Sequence, residues 1–131
     1  MAVMDASAVV EVLLRTAIGM DALERLMAEP DGMHAPHLLD VEVAHALRRL
    51  VLTRELSTQD AAFAVEALPQ LRLDRHAHLL LLPRVWELRN SLSAYDAVYV
   101  ALAEALDTPL ITCDGKLSRS HGHRANIVLL S

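Results

Sequence analysis

The sequence predicts an α/β fold, a doubly wound parallel sheet of five short strands with helices between them. Helical and extended patterns alternate from one end of the chain to the other, and every extended run is short. The 131 residues, 53% of them apolar, suit one domain over residues 1–131 that buries roughly two thirds of the surface its unfolded form would expose. No repeat or low-complexity tract breaks the alternation.

The first strand is expected at Ala2 to Met4, followed by a helix from about Ser7 to Arg15 and a second over Met20 to Ala28, before a turn at Pro30-Asp31-Gly32. Met33 to Ala35 is the second strand, and Pro36 suits a helix start. Leu39, Val43, Ala46, Leu47 and Leu50 recur every three or four residues, the stripe of a helix over 38–53. Ser57-Thr58-Gln59-Asp60 has the spacing of a capping box and opens a helix over 57–68 that Pro69 ends, so these two helices are expected to form a hairpin. Leu71 to Leu73 is the third strand candidate, and a helix around Leu80 to Asn90 must begin or kink at Pro83. Ser93-Ala94-Tyr95-Asp96 opens the best-patterned helix, to about Leu106, with Val98, Ala101, Leu102 and Ala105 on one stripe. Pro109 to Thr112 and Asn126 to Leu130 complete the sheet.

Composition narrows the function classes. Mean hydropathy is +0.29 and no apolar run approaches the ~18–20 residues needed to span a bilayer, so a soluble protein is expected. Met1 to Leu14 carries Asp5 and Glu11 and no basic residue, unlike a secretory signal, which points to the cytoplasm. Cys113 is the single cysteine, which excludes an internal disulfide and a cysteine-based zinc site, and its expected place is that of a small buried apolar residue. A formal charge of −5 opposes broad adhesion to nucleic acid, although divalent cations bound in an acidic pocket would invert the local field. Lys116 is the single lysine among twelve basic residues; the Arg preference suits bidentate contacts to phosphate or carboxylate, and equally a GC-rich codon bias. The histidine pairs His34/His37, His76/His78 and His121/His123 are expected as solvated loop residues in preference to a metal site.

The acids carry the chemistry. Asp5 ends the first strand and Asp114 lies just beyond the fourth, at the carboxyl edge where open α/β sheets bind ligands. Glu42 lies one turn into the third helix and Asp96 takes the fourth position of the Ser93 capping pattern, so both sit near helix N-termini, where negative charge is favoured. Each acid also has a local role open to it: Asp5 as a helix N-cap, Asp96 as a capping-box acid, Glu42 and Asp114 as solvated surface. If the helices pack beside the first and fourth strands, the four converge. Two carboxylates ~5 Å apart at an effective dielectric of ~20 repel by roughly 3 kcal/mol, and six such pairs by on the order of 20 kcal/mol. Such a cluster must protonate or bind cations. Oxygen donors without neighbouring His or Cys select a hard ion, Mg2+ or Mn2+, and carboxylate-held ions of that kind support phosphodiester hydrolysis. Asp40, two residues before Glu42, points elsewhere on the helix and is expected to cap its start or face solvent. Glu11, further into the first helix, stays outside the site.

At these residues a family resemblance appears. "VMDASAVVEVLL" resembles the first motif of the PIN-domain ribonucleases, and more narrowly of VapC-type toxins of bacterial toxin–antitoxin pairs, with the aspartate at Asp5 and Ser7 two residues on. "PHLLDVEVAHALRR" is similar to the second and puts its glutamate at Glu42; "LSAYDAVYVALAEAL" puts the third acid at Asp96; "PLITCDGKL" supplies Thr112 and Asp114. The motifs occur in order over nearly the whole chain. The resemblance implies the strand order 3-2-1-4-5 and Mg2+- or Mn2+-dependent cleavage of RNA by Asp5, Glu42, Asp96 and Asp114. Asp5 and Asp96 would be direct metal ligands, Asp114 and Glu42 would bind through water or serve a second ion, and Ser7 and Thr112 would orient water or brace the acids. It further implies a homodimer and a VapB-type antitoxin whose C-terminal segment fills the groove, an Arg reaching the acids.

Two other classes compete. An aspartyl phosphatase using Asp5 as nucleophile would need a second acid where this chain has Ser7. A catalytically silent PIN-like module for RNA or antitoxin would not need all four acids, and all four are present.

Overall fold

The computed structural model describes residues 1–28 and 31–131. Strand β1 (Ala2–Met4) is buried along its whole length, and Asp5 closes it while capping α1 (Ala6–Leu13). The expected end of that helix, Arg15, instead takes a left-handed φ of 56°, which turns the chain out of the helix. Helix α2 (Ala17–Met27) starts before the expected Met20 because Thr16 caps it, accepting from the Gly19 amide. Gly19 reads as a helix-weakening residue, yet a Cβ there would lie 2.0 Å from the Glu11 carbonyl oxygen: α1 and α2 meet backbone to backbone. Of the expected turn Pro30-Asp31-Gly32, Pro30 lies outside the described residues, and Gly32 takes a φ of 66° that favours glycine.

Strand β2 (Met33–Pro36) keeps Pro36, which the sequence had suited to a helix start. Pro36 pairs with His76, and the His37 amide bonds the His76 carbonyl in the donor role that proline cannot fill. Helix α3 (Leu38–Leu52) buries Leu39, Val43 and Leu47, as the stripe predicts, and α4 (Thr58–Ala67), capped by Ser57, packs on it as the expected hairpin. Pro69 ends α4 in a 3-10 turn over Leu68–Gln70. That turn captures the Leu71 amide, so β3 (Leu73–His76) starts where the expected strand Leu71 to Leu73 ended. The helix expected over Leu80 to Asn90 is shorter, a 3-10 turn at Leu79–Leu81 and then α5 (Leu82–Glu87) with Pro83 in its first turn. Helix α6 (Ala94–Leu106) runs as predicted from its Ser93 cap. Strand β4 (Leu110–Thr112), a short α7 (Gly115–Ser118) that the sequence pattern did not reveal, and β5 (Ile127–Leu129) complete the chain.

The five strands are parallel in the order β3-β2-β1-β4-β5. β1 is central, with Val3 beside His34 of β2 on one side and Leu110 of β4 on the other. α6 lies against β1, β2 and β4, and its residues Ala97 to Ala103 are all buried, so it is apolar all round because it is a core helix. No helix among the described residues is long and apolar enough to cross a membrane.

Candidate active site

Because β1 is central and flanked by β2 and β4, the chain reverses its winding at the carboxyl end of β1, the point at which open α/β sheets bind their ligands. Asp5 stands at that point, its amide bonded to the Ile111 carbonyl and its backbone extended. Its side chain is 7% exposed and heavily bonded: Ser7 Oγ donates to Oδ1 at 2.6 Å, the Ala8 amide to Oδ1 at 3.1 Å, and Thr112 Oγ1 to Oδ2. The two hydroxyls are themselves oriented from the other side. Ser7 Oγ accepts from the Cys113 amide at 2.9 Å and Thr112 Oγ1 from the Asp114 amide at 2.9 Å, so each is left to give its one proton to Asp5. The N-cap role that the sequence left open for Asp5 is filled, and the same bonds fix its carboxylate at the strand tip.

Burial raises the Asp5 pKa above the ordinary carboxylate value against the pull of Ser7, Thr112 and Ala8, and Asp114 raises it further. Asp96, in the first turn of α6 with its amide on Ser93 Oγ, is raised by burial and then by Asp114 and Asp5, with Ser93 and Lys116 opposing. Glu42, half-buried on α3, is raised by burial, then by Asp96 and Asp5, with the Tyr99 hydroxyl and His45 opposing. Asp114 caps α7, its Oδ1 accepting from the Lys116 amide at 2.9 Å. The acids are thus linked electrostatically, Asp5 and Asp96 with each other and with Asp114, and Glu42 with Asp96 and Asp5.

No three His, Cys, Asp or Glu side chains among the described residues already stand as a cage for an ion. The donor set nevertheless fits a hydrated one. Of the roughly four lone-pair sites of the Asp5 carboxylate, three are taken by the donors above, which leaves Oδ2 able to accept once more. Magnesium is commonly held by one or two carboxylates and keeps several waters, so an open, oxygen-only group whose charges repel one another suits it better than a closed all-protein site. Asp5, Asp96 and Asp114 could share such an ion.

The sequence reading missed Tyr99. It is 1% exposed on α6, one turn after Asp96, and its hydroxyl donates to Glu42 Oε1 at 2.6 Å. The available signal was a phenol within an apolar stripe, since a buried tyrosine hydroxyl needs a partner. Asp40 corrects an expectation: it supplies no side-chain cap to α3, and its side chain pairs with Arg75 of β3 through three bonds of 2.8–3.0 Å. Two histidines also depart from the expected solvated loops. His34 is buried on β2, its Nε2 donating to the Asp31 carbonyl and its Nδ1 2.8 Å from His76 Nε2, so they pair across strands. Glu11 lies outside the acid group and accepts from Thr16 Oγ1 at 2.5 Å. Cys113 is half-buried, and its thiol is pushed up to about 11, first by burial and then by Glu11 and Asp5, so it stays protonated at neutral pH.

A family model described as "PIN domain" matches residues 2–121. Ribonuclease VapC1 of Mycobacterium tuberculosis is 45% identical over 129 residues, 98% of this chain and 96% of the relative. Ribonuclease VapC12 of the same organism is 41% identical over 131 residues, the full length of both. Among solved structures, VapBC2 from Rickettsia felis bound to a promoter DNA fragment aligns with a TM-score of 0.71 at 12% identity, over 99% of this chain and 98% of that one. Mycobacterium tuberculosis VapC20, described as a sarcin-ricin loop cleaving toxin, aligns at 0.63 and 16%, over 90% and 93%. At those identities the likeness is one of fold.

Proposed function

The chain belongs to the PIN-domain family, beside the VapC ribonucleases, and on that premise we propose that it is the RNA-cleaving toxin of a toxin–antitoxin pair, dependent on Mg2+ or Mn2+ and acting as one domain. The observation that carries the reading is the linked group Asp5, Glu42, Asp96 and Asp114 at the carboxyl edge of the sheet, in a chain so similar to named ribonucleases.

Asp5, Asp96 and Asp114 would hold the ion, which when bound polarises the scissile phosphate and offsets the charge that develops on it. Ser7 and Thr112 keep Asp5 fixed at the strand tip, the role of groups that orient ligands from behind. Glu42 is the acid suited to accept the proton of the attacking water, because burial and its acidic neighbours make it more basic than a free carboxylate. Water oxygen then bonds to phosphorus as the bond to the leaving ribose oxygen breaks. An aspartyl phosphatase is disfavoured because Ser7 stands where that chemistry needs a second acid.

A VapB-type antitoxin partner, a homodimer and a cytoplasmic location complete the proposal. The antitoxin is supported by fold neighbours that include a toxin–antitoxin complex from Klebsiella pneumoniae and VapBC2 of Rickettsia felis. Partner surface is available: Leu79, Leu80, Leu82 and Trp86 are exposed along the approach to α5 and on it. Purified protein is expected to cut RNA with Mg2+ or Mn2+, to stop on chelation, and to lose about 100-fold or more of its rate in Asp5→Asn or Asp96→Asn. Undiminished cleavage by both variants would exclude the assignment. Sequencing RNA ends after brief expression, against the Asp5→Asn protein, would reveal the target in the same cells.

A further inference from the structure

We propose that Tyr99 is a positioning residue of this site: its buried hydroxyl tethers Glu42 Oε1 and holds that carboxylate beside Asp5 and Asp96, leaving Oε2 to serve the ion or its water. The inference rests on the ribonuclease reading of the same four acids.

A carboxylate repelled by two others turns toward solvent unless something restrains it. Glu42 is in that position, itself only half-buried and preceded on α3 by Val41, which is 70% exposed, so solvent is within reach of a rotated side chain. Tyr99 supplies the restraint. Its ring is locked in the buried run Ala97 to Ala103, which leaves the hydroxyl little freedom of place. An ionised carboxylate can only accept, so the hydroxyl donates, and the 2.6 Å separation is that of a short charge-assisted bond. Tyr99 also lies three residues after Asp96 on α6, the spacing of neighbours on one helix face, so one element presents Asp96 to the group and ties Glu42 of α3 to it across 57 residues of sequence. A phenol needing only to be satisfied could have met a backbone carbonyl; here it meets the acid whose orientation matters to the site.

The test uses Tyr99→Phe, which keeps the ring and deletes the donor, with Glu42→Gln and the double variant, all full-length. Free Mn2+ is titrated by electron paramagnetic resonance without RNA, alongside thermal melting and RNA cleavage as a function of Mn2+ concentration. A tether predicts a folded Tyr99→Phe protein whose Mn2+ dissociation constant rises about 10-fold, a loss in Glu42→Gln at least as large, and no further loss when both are combined. Wild-type Mn2+ affinity in Tyr99→Phe, or an equal loss from Tyr99→Phe in the Glu42→Gln background, would overturn the tether and leave the ribonuclease reading standing. Wild-type protein that neither binds Mn2+ nor cuts RNA would overturn that reading, and the tether with it.

Discussion

Asp5, Glu42 and Asp96 all have pKa values raised first by burial and then by acidic neighbours, Asp114 beside Asp5, Asp96 and Asp5 beside Glu42, and Asp114 and Asp5 beside Asp96, so the folded chain binds these protons more tightly than the unfolded chain does. The sign follows from linkage: the stability from this effect is fully present below the ordinary carboxylate values and is lost as pH rises through the raised ones. At neutral pH the ionised acids therefore oppose folding. Glu104 runs the other way, held below its ordinary value by Arg84, so its contribution is present above that value and is lost as pH falls through the folded pKa. Asp96→Asn should raise the melting temperature at pH 7 by roughly 3–5 °C for each kcal/mol of repulsion relieved, and the gain should shrink as pH is lowered through the raised carboxylate pKa values. Calorimetry from pH 7 downward checks both, and a loss of stability at pH 7 would contradict the account.

Among the described residues, two arginine–carboxylate pairs that join separate elements differ in strength. Arg84 of α5 reaches Glu104 of α6 with bonds of 2.7 and 3.0 Å, and the Glu104 side chain is only 4% exposed. Asp40 of α3 and Arg75 of β3 make an equally short pair, but with 37% and 23% exposure water screens it. Glu104→Gln keeps an acceptor and leaves Arg84, 29% exposed, its bond to Glu87, so it should cost about 1–2 kcal/mol, and Asp40→Asn about 1 kcal/mol or less. Urea unfolding of both variants measures the difference, and adding salt should narrow only the Asp40 effect. Arg75 has a second duty, since its Nη1 also bonds the Leu73 carbonyl and so occupies an acceptor of the edge strand β3.

For the whole molecule, what matters is where the sheet changes direction. Strand order puts β1 at the centre and the four acids along the carboxyl edge beside it, while a cleft of about 980 Å3 lies elsewhere, near the start of β2 and β3, lined by Leu23, Leu26, Met33, Leu71 and Asp74 among others. None of the four acids lines it. An open edge suits a polymer lying across it better than an enclosed small molecule. A cation that binds only the folded chain must stabilise all of it, so Mn2+ at 100 times its dissociation constant should add about 2.7 kcal/mol. The melting temperature of wild type should rise by several degrees on adding Mn2+ and that of Asp96→Asn much less; equal shifts would place the ion elsewhere.

The alternation of elements, the caps at Ser57 and Ser93, the buried stripe of α3 and the placing of the four acids near strand and helix ends are all legible in the amino-acid sequence. Each of these depends on residues a few positions apart, which is the range over which periodicity and capping act. The departures have the same origin: the second helix begins before Met20 because Thr16 caps it, and Leu71 looked like a strand until the turn after Pro69 took its amide. Which side chains meet across the fold is set by packing. Tyr99 finds Glu42 across 57 residues, His76 finds His34 across 42 and Arg75 finds Asp40 across 35, and packing of the sheet against its helices chose those partners. A polar group must be satisfied once it is buried, but no local pattern says by whom.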